Sequence, residues 1–275
     1  MELSRNIQKA IRKYEAVETD GLTLYPILVK DFDYYLASKP AIEIMQQSLP
    51  VRLMSVPLLQ AFYALDYEAI TTGGEPVGLM YRALLFLGLS LRLSPDDPEA
   101  VLHRFRIVAD PNDPSRLKGV DFVVNGEEMH RITPVLFQRL RPILAAQNGI
   151  KLESDDANPE LVEAERVLAE TGNIKLSGDP YEMIATIAAL ERIDDAEIEE
   201  WPILKLITRE TTWRRIIGYQ VCAIGQASGA SWKGGNPHPS LFYERVNDGI
   251  SAALAPLSSL KGAEQAVAAT PTEKE

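Results

Sequence analysis

The stretch from Val77 to Leu93 constrains the fold more than any other part of the sequence. Placed on a helix, it is apolar nearly all round, and such a helix must be covered by other elements of the protein. Arg82 and Arg92 interrupt it, so it falls short of the ~20 consecutive apolar residues that span a bilayer. We therefore predict a central core helix here and no membrane partner.

Helix starts recur in the second half of the chain as a capping residue followed by proline, a pairing typical of the first helical turn. Thr133-Pro134, Asn158-Pro159 and Asp179-Pro180 have this form. They predict helices over about 134–147, 159–170 and 180–193. Two more are expected over about 202–226 and 241–254.

Elements in the first half are predicted from periodicity. Residues 4–17 read as a short amphipathic helix, and residues 22–29 as a strand that Pro26 confines to an edge. A short helix starting near Asp31 is expected to end at Pro40. From Ser55, a possible cap, a longer helix is predicted with an apolar stripe at Leu58, Leu59, Phe62, Leu65 and Ile70.

A small antiparallel β-meander is predicted near residues 104–132. Its strands are expected over 104–108, 120–124 and 127–132, with a loop over 110–114. Asn125-Gly126 separates the last two runs, and Asn-Gly is a strong hairpin signal because both residues tolerate positive φ. The fold class is therefore mostly α with this meander (α+β), and with a bundle-like helical C-terminal half.

The charge distribution suggests how the chain is divided. Residues 151–200 contain 4 basic and 15 acidic side chains, which alone account for the net charge of −11. We predict an α+β domain over residues 1–152, a helical domain over 153–257 and a flexible tail over 258–275. Without a concentrated basic face, nucleic acid is not an expected partner.

The start of the chain and its cysteine content both point to the cytoplasm. The N-terminus lacks the apolar segment of a signal peptide. Cys222 is the only cysteine, and its apolar neighbours predict a buried thiol rather than a nucleophile.

Patterns that would indicate an enzyme or a bound cofactor were not found. His103, His130 and His238 are far apart in sequence, and neither a phosphate-binding loop nor a nucleophile elbow occurs. The paired carboxylates, such as Asp155 and Asp156, lie in acidic stretches typical of solvated surfaces. No catalytic residue, metal ligand or cofactor is expected.

Aromatic and arginine side chains in the C-terminal part are the candidate partner-binding residues, because both types are enriched at interface hot spots. The candidates are Trp201, Arg209, Trp213, Arg214, Tyr219, Trp232 and Phe242. The alternative, favoured for each aromatic taken singly, is a core residue of a helical domain. Trp232, flanked by a glycine-containing loop, is the most interface-like.

Several short segments of the chain resemble proteins from the tail operons of tailed bacteriophages and prophages. They include Gly21-Leu22-Thr23-Leu24-Tyr25-Pro26-Ile27, Leu49-Pro50-Val51-Arg52, Ile132-Thr133-Pro134, Ile143-Leu144-Ala145-Ala146-Gln147-Asn148-Gly149, Leu161-Val162-Glu163-Ala164-Glu165 and Gly234-Gly235-Asn236-Pro237-His238-Pro239-Ser240. Over about residues 20–245, the chain is most similar to phage tail assembly chaperones.

That resemblance implies a function without catalytic residues. Such chaperones bind and solubilise the long helical tape measure protein in the bacterial host cytoplasm, help recruit tail tube subunits, and leave before the virion is mature. Self-association along the partner is compatible with this role. The alternatives are a structural component of a phage tail or baseplate, and a small enzyme with an unrecognised site.

Overall fold

The computed structural model describes residues 3–123, 129–152 and 180–231, together with Asn236 and His238. Its helices are α1 (Arg5–Arg12), α2 (Phe32–Glu43), α3 (Leu58–Thr71), α4 (Leu79–Ser90), α5 (Pro134–Gln147), α6 (Pro180–Glu191), α7 (Asp195–Glu199) and α8 (Ile203–Ala227). Its strands are β1 (Val17–Thr19), β2 (Leu22–Leu24), β3 (Phe105–Asp110), β4 (Asp113–Val123) and β5 (Met129–Ile132). The predicted class, mostly helical with a small antiparallel sheet, is confirmed.

Other predictions fall outside the described residues. They are the helices over 159–170 and 241–254, the Asn125-Gly126 turn, the tail over 258–275, and the candidate side chains Trp232 and Phe242.

The chain divides into two compact units. One comprises Met1–Pro159 and Ser177–Thr212, and the other Glu160–Leu176 and Trp213–Glu275. The first unit thus takes in residues 177–212, which the sequence-based division assigns to the C-terminal domain. The division between the units falls within α8, after Thr212.

The predicted meander is a three-stranded sheet in the order β3-β4-β5, antiparallel throughout. Phe105 pairs with Phe122, and Val120 pairs with Ile132. The predicted loop over 110–114 is shorter in the structure, because β4 already begins at Asp113 and only residues 111–112 remain as the turn.

A second hairpin, β1-β2, was not predicted. Asp20 and Gly21 both have positive φ, 51° and 75°, as a tight two-residue hairpin turn requires. The strand predicted over residues 22–29 is shorter in the structure, where β2 ends at Leu24. Val29–Asp31 forms a short 3-10 turn instead.

Two helix boundaries differ from the prediction because distant side chains stabilise them. α2 does not end at Pro40 but continues to Glu43, and Arg141 from α5 donates to the carbonyls of Ile42 (2.9 Å) and Ile44 (2.6 Å) at its end. Ser55 does not cap α3, whose first N–H, that of Leu58, donates to Gln138 Oε1 at 3.3 Å. Both caps come from α5, which sequence periodicity could not reveal.

The predicted central helix is α4, and residues 83–91 are all buried. The rings of Tyr35 in α2 and Phe86 in α4 lie 6.1 Å apart. On another face of α4, a Cβ added at Gly88 would lie only 1.9 Å from Val101 Cγ1. Glycine at position 88 therefore lets the 3-10 turn Pro98–Arg104 pack directly against α4.

The end of α5 binds the N-terminal segments through buried amides. Asn148, fully buried, accepts the Ile27 N–H at 2.9 Å and donates to the Leu144 carbonyl at 2.8 Å. Its own carbonyl accepts the Tyr35 hydroxyl at 3.0 Å, and Gln147 donates to the Leu24 carbonyl at 3.1 Å. These bonds fix the chain leaving the β1-β2 hairpin against α5.

Replacing Asn148 with alanine should lower the free energy of unfolding by about 2–3 kcal/mol, because the buried Ile27 N–H would lose its acceptor. Urea unfolding followed by circular dichroism measures the change. The matched control is Asn112→Ala in the exposed β3-β4 turn, which should cost less than about 0.5 kcal/mol. Equal effects at the two positions would contradict the role given to Asn148.

Three helices end on a non-glycine residue in the left-handed region. Tyr14, Arg92 and Arg192 have φ of 62°, 51° and 58°, and each is followed by a residue whose N–H closes the helix end. After Arg192, the N–H of Ile193 donates to Ala188 O at 3.1 Å. Side chains are strained in this conformation, whereas glycine is not.

Arg192→Gly should therefore raise the free energy of unfolding by about 0.5–1 kcal/mol, since relief of strain outweighs the added freedom of the unfolded chain. Arg192 is exposed, so little packing is lost. Arg192→Ala, which keeps a Cβ, should give no such gain. Thermal melting of the two variants checks the difference, and an equal gain in both would contradict the strain.

Candidate partner-binding surface

Trp201, the first of the candidate partner-binding residues, lies in the core of the first unit. Only 7% of its surface is exposed, and its carbonyl accepts the Val29 N–H at 2.8 Å. The Lys205 ammonium lies 3.5 Å above the centre of its ring, and burial, followed by the charge of Arg209, lowers the pKa of Lys205. Trp201 is therefore a core residue, which is the alternative that the sequence analysis favours for each aromatic side chain taken singly.

The remaining described candidates lie along α8. Arg209 is exposed and forms an ion pair with Glu191 at 3.6 Å. Trp213 and Tyr219 are half-buried, whereas Arg214 is exposed. At ~100° of turn per residue, Trp213, Arg214 and Tyr219 of the second unit project from different faces of α8. These three side chains therefore do not form a continuous patch on one face of the helix.

Cys222, by contrast, is buried at 5% exposure, which confirms the predicted setting of the thiol.

A more continuous apolar surface lies on the first unit, where sequence analysis did not place a site. It is a groove of about 480 Å³, hereafter the tyrosine groove. From the helices it is lined by Tyr63, Asp66, Tyr67, Ile70, Met80, Tyr81 and Leu84, and from the opposite wall by Leu102, Phe105 and Ile107.

The position of Ile70 corrects one detail of the predicted core. Its side chain is 61% exposed at the rim of the tyrosine groove, although the sequence assigned it to the buried stripe of α3. The core side of α3 consists of Leu58, Leu59, Ala61 and Phe62, which lie at the start of the helix. The last turn of α3, which contains Ile70, extends past the elements that cover the first turns of the helix.

Hydrogen bonds hold the polar groups of the groove in place. The Tyr63 hydroxyl donates to Pro114 O at 2.8 Å, and the Tyr63 and Tyr67 rings lie 6.1 Å apart. Burial, with a smaller effect of Tyr67, raises the pKa of the Tyr63 hydroxyl. Asp66 Oδ1 accepts the Gly78 N–H at 2.9 Å, which fixes the loop between α3 and α4.

A second groove, of about 570 Å³, lies against another face of α3 and is called the proline groove. Its apolar lining includes Leu53, Val56, Pro57, Leu117, Pro134 and Val135, and Asp113 and Arg116 add one charge of each sign. Gln60 connects α3 to β4 there, since its side chain donates to Ser115 O at 3.1 Å and accepts the Leu117 N–H at 2.7 Å. Val135, at the edge of this groove, is 63% exposed.

A small cavity of the first unit is lined by charged side chains that pair with one another. It measures about 140 Å³ and contains Lys30, Asp31, Arg92 and Glu200. Lys30 and Glu200 form an ion pair at 3.1 Å, and Arg92 stacks 4.4 Å above the Tyr25 ring. Burial is the main cause of the raised pKa of Asp31. Two acidic and two basic groups offset each other, so no net charge is offered to an ionic substrate.

Within the described ranges, no cluster of three or more histidine, cysteine, aspartate or glutamate side chains could hold a metal ion. The described helices include none that is long and apolar enough to cross a membrane.

The aromatic residues that line the tyrosine groove were missed because they lie among core positions. The available signal was the spacing of Tyr63, Asp66, Tyr67 and Ile70, which places them on one face of α3. The sequence analysis predicts one apolar stripe on that helix and assigns it to the core. A second apolar face, free for a partner, is not expected from such a pattern.

Comparison with known proteins identifies no relative: no protein-family model, curated protein or solved structure matches the chain.

Trp201→Ala should lower the free energy of unfolding by about 3–5 kcal/mol, the usual effect of emptying a buried tryptophan site. Arg209→Ala, eight positions further along the chain in α8 and exposed, should cost less than about 1 kcal/mol. Denaturant unfolding of both variants tests the placement. A Trp201→Ala protein as stable as the wild type would return Trp201 to the candidate surface.

Proposed function

We propose that this chain is a phage tail assembly chaperone that binds the tape measure protein and keeps it soluble in the bacterial cytoplasm. The single observation that carries the proposal is the pair of open apolar grooves on two faces of α3, the tyrosine groove and the proline groove. The resemblance of the chain to tail assembly chaperones supports it and supplies the partner.

Both grooves suit a helical partner. A helix buries its apolar stripe in a groove between neighbouring elements, and tyrosine and other aromatic side chains contribute strongly at such contacts. Two separate grooves would allow several modest contacts instead of one large interface. Modest contacts suit a chaperone that must release its partner when the tube forms.

The acidic segment over residues 151–200 would contribute differently. With 4 basic and 15 acidic side chains, it favours solubility of the complex and repels other acidic chains. It would also steer basic stretches of the partner toward the chaperone. Recruitment of tail tube subunits and self-association along the partner belong to the same proposal.

Co-expression with the tape measure protein of the same phage or prophage tests this function. The tape measure protein should become soluble and purify with several copies of this chain. If the two proteins elute separately and the tape measure protein stays insoluble, the proposed function is wrong. Mass spectrometry of purified virions then tests the structural-component alternative, which requires the chain in the mature particle.

Val135→Asp should weaken that complex by about tenfold, because it replaces an exposed apolar side chain of the proline groove with a hydrated carboxylate. Folding should be retained, since an acidic residue in the first turn of α5 favours the helix. The matched control is Val51→Asp, at a position that is 82% exposed and lies outside both grooves. Pull-down titration of the co-expressed proteins measures both, and equal weakening would exclude the proline groove as the contact.

A further inference from the structure

The tyrosine groove has two helical walls and is open on the side where a third helix would pack. On α3, Tyr63, Asp66, Tyr67 and Ile70 follow the spacing i, i+3, i+4 and i+7, which defines one face of a helix. α4 contributes Met80, Tyr81 and Leu84 to the same groove. Two helical faces that line a common groove accept a third helix by interlocking of their side-chain ridges.

Burial within the groove distinguishes a floor from a rim. Met80 and Leu84 are only 4% and 5% exposed and form the floor. Ile70, Tyr81 and Ile107 stand around it with 61%, 55% and 45% of their surfaces exposed. Aliphatic side chains entering from above would therefore contact a buried floor and cover three exposed apolar residues.

One charge in the groove specifies the partner further. Asp66 is the only charged side chain among the lining residues. Its Oδ1 accepts the Gly78 N–H, and no ion pair with a described lysine or arginine occupies the carboxylate. A basic side chain between two apolar anchors of the partner would complement this charge, whereas an acidic one would be repelled.

We propose that the tyrosine groove binds one amphipathic helix that carries aliphatic anchors one and two turns apart and a lysine or arginine facing Asp66. The inference rests on the proposed function in that the tape measure protein would supply this helix. The groove that is used and the sequence pattern that it recognises in the partner go beyond that function.

Two labelled synthetic peptides of about 20 residues, a length at which designed helices form, provide the probe. Both carry leucines at helical spacing and differ only in having lysine or glutamate at the position facing Asp66. Fluorescence anisotropy with the full chain should show tighter binding of the lysine peptide by about threefold to fivefold, as for a partly exposed ion pair.

Asp66→Asn should remove most of this preference while leaving the apolar contacts and the acceptor for the Gly78 N–H. The matched control is Glu68→Gln, which removes a neighbouring charge of α3 that pairs with Arg52 outside the groove. This control should keep the preference. Tyr81→Ala should weaken both peptides by about tenfold, whereas Tyr181→Ala, at a similarly exposed tyrosine elsewhere, should not. Circular dichroism melting verifies that each variant is folded.

Equal affinity for the two peptides, or a preference that survives Asp66→Asn, would overturn the inference. So would displacement by a proline-rich extended peptide with higher affinity, since aromatic grooves also bind such chains. If the lysine peptide binds as expected but the tape measure protein is not rescued, the groove stands and the proposed function fails. If the tape measure protein is rescued and neither Asp66→Asn nor Tyr81→Ala reduces the rescue, the proposed function is supported but does not use the tyrosine groove.

Discussion

The first unit depends on a set of buried polar side chains that α5 directs into an otherwise apolar interior. Arg141 closes the end of α2, while Gln147 and Asn148 hold the segment that leaves the β1-β2 hairpin. Each group replaces a backbone partner that would otherwise be missing, and such losses are costly in a buried setting. These bonds therefore decide how the N-terminal elements are arranged, while apolar burial supplies most of the driving force.

The same helix also positions the surface that we assign to partner binding. Gln138 of α5 accepts the first N–H of α3, and Gln60 of α3 in turn bonds to β4. α3 is thus fixed at its start by α5 and along its length by the meander. Because α3 is a wall of both grooves, these few polar contacts help to set the shape of both. Apolar side chains at the rim can then remain exposed without loss of the fold.

Features that depend on neighbouring residues were predictable from the sequence. Thr133 accepts the Leu136 N–H at 3.2 Å, and α5 runs over the predicted residues 134–147. The existence of the meander and the burial of α4 also follow from local patterns, although β4 begins seven residues before the predicted strand. What could not be predicted were features set by distant side chains, namely the continuation of α2 past Pro40 and the start of α3 at Leu58. For the candidate surface, residue type alone selected Trp201, whose burial depends on packing that no local pattern encodes.

The long sequence separations of the α5 contacts have a consequence for synthesis on the ribosome. Gln138 acts on a residue 80 positions earlier, Arg141 on one 99 earlier, and Asn148 on one 121 earlier. Contacts of such separation form late and slow folding. Until α5 has left the exit tunnel, α2 and α3 lack their caps and the apolar α4 has no finished enclosure. During that interval the nascent chain exposes apolar surface of the kind that promotes aggregation.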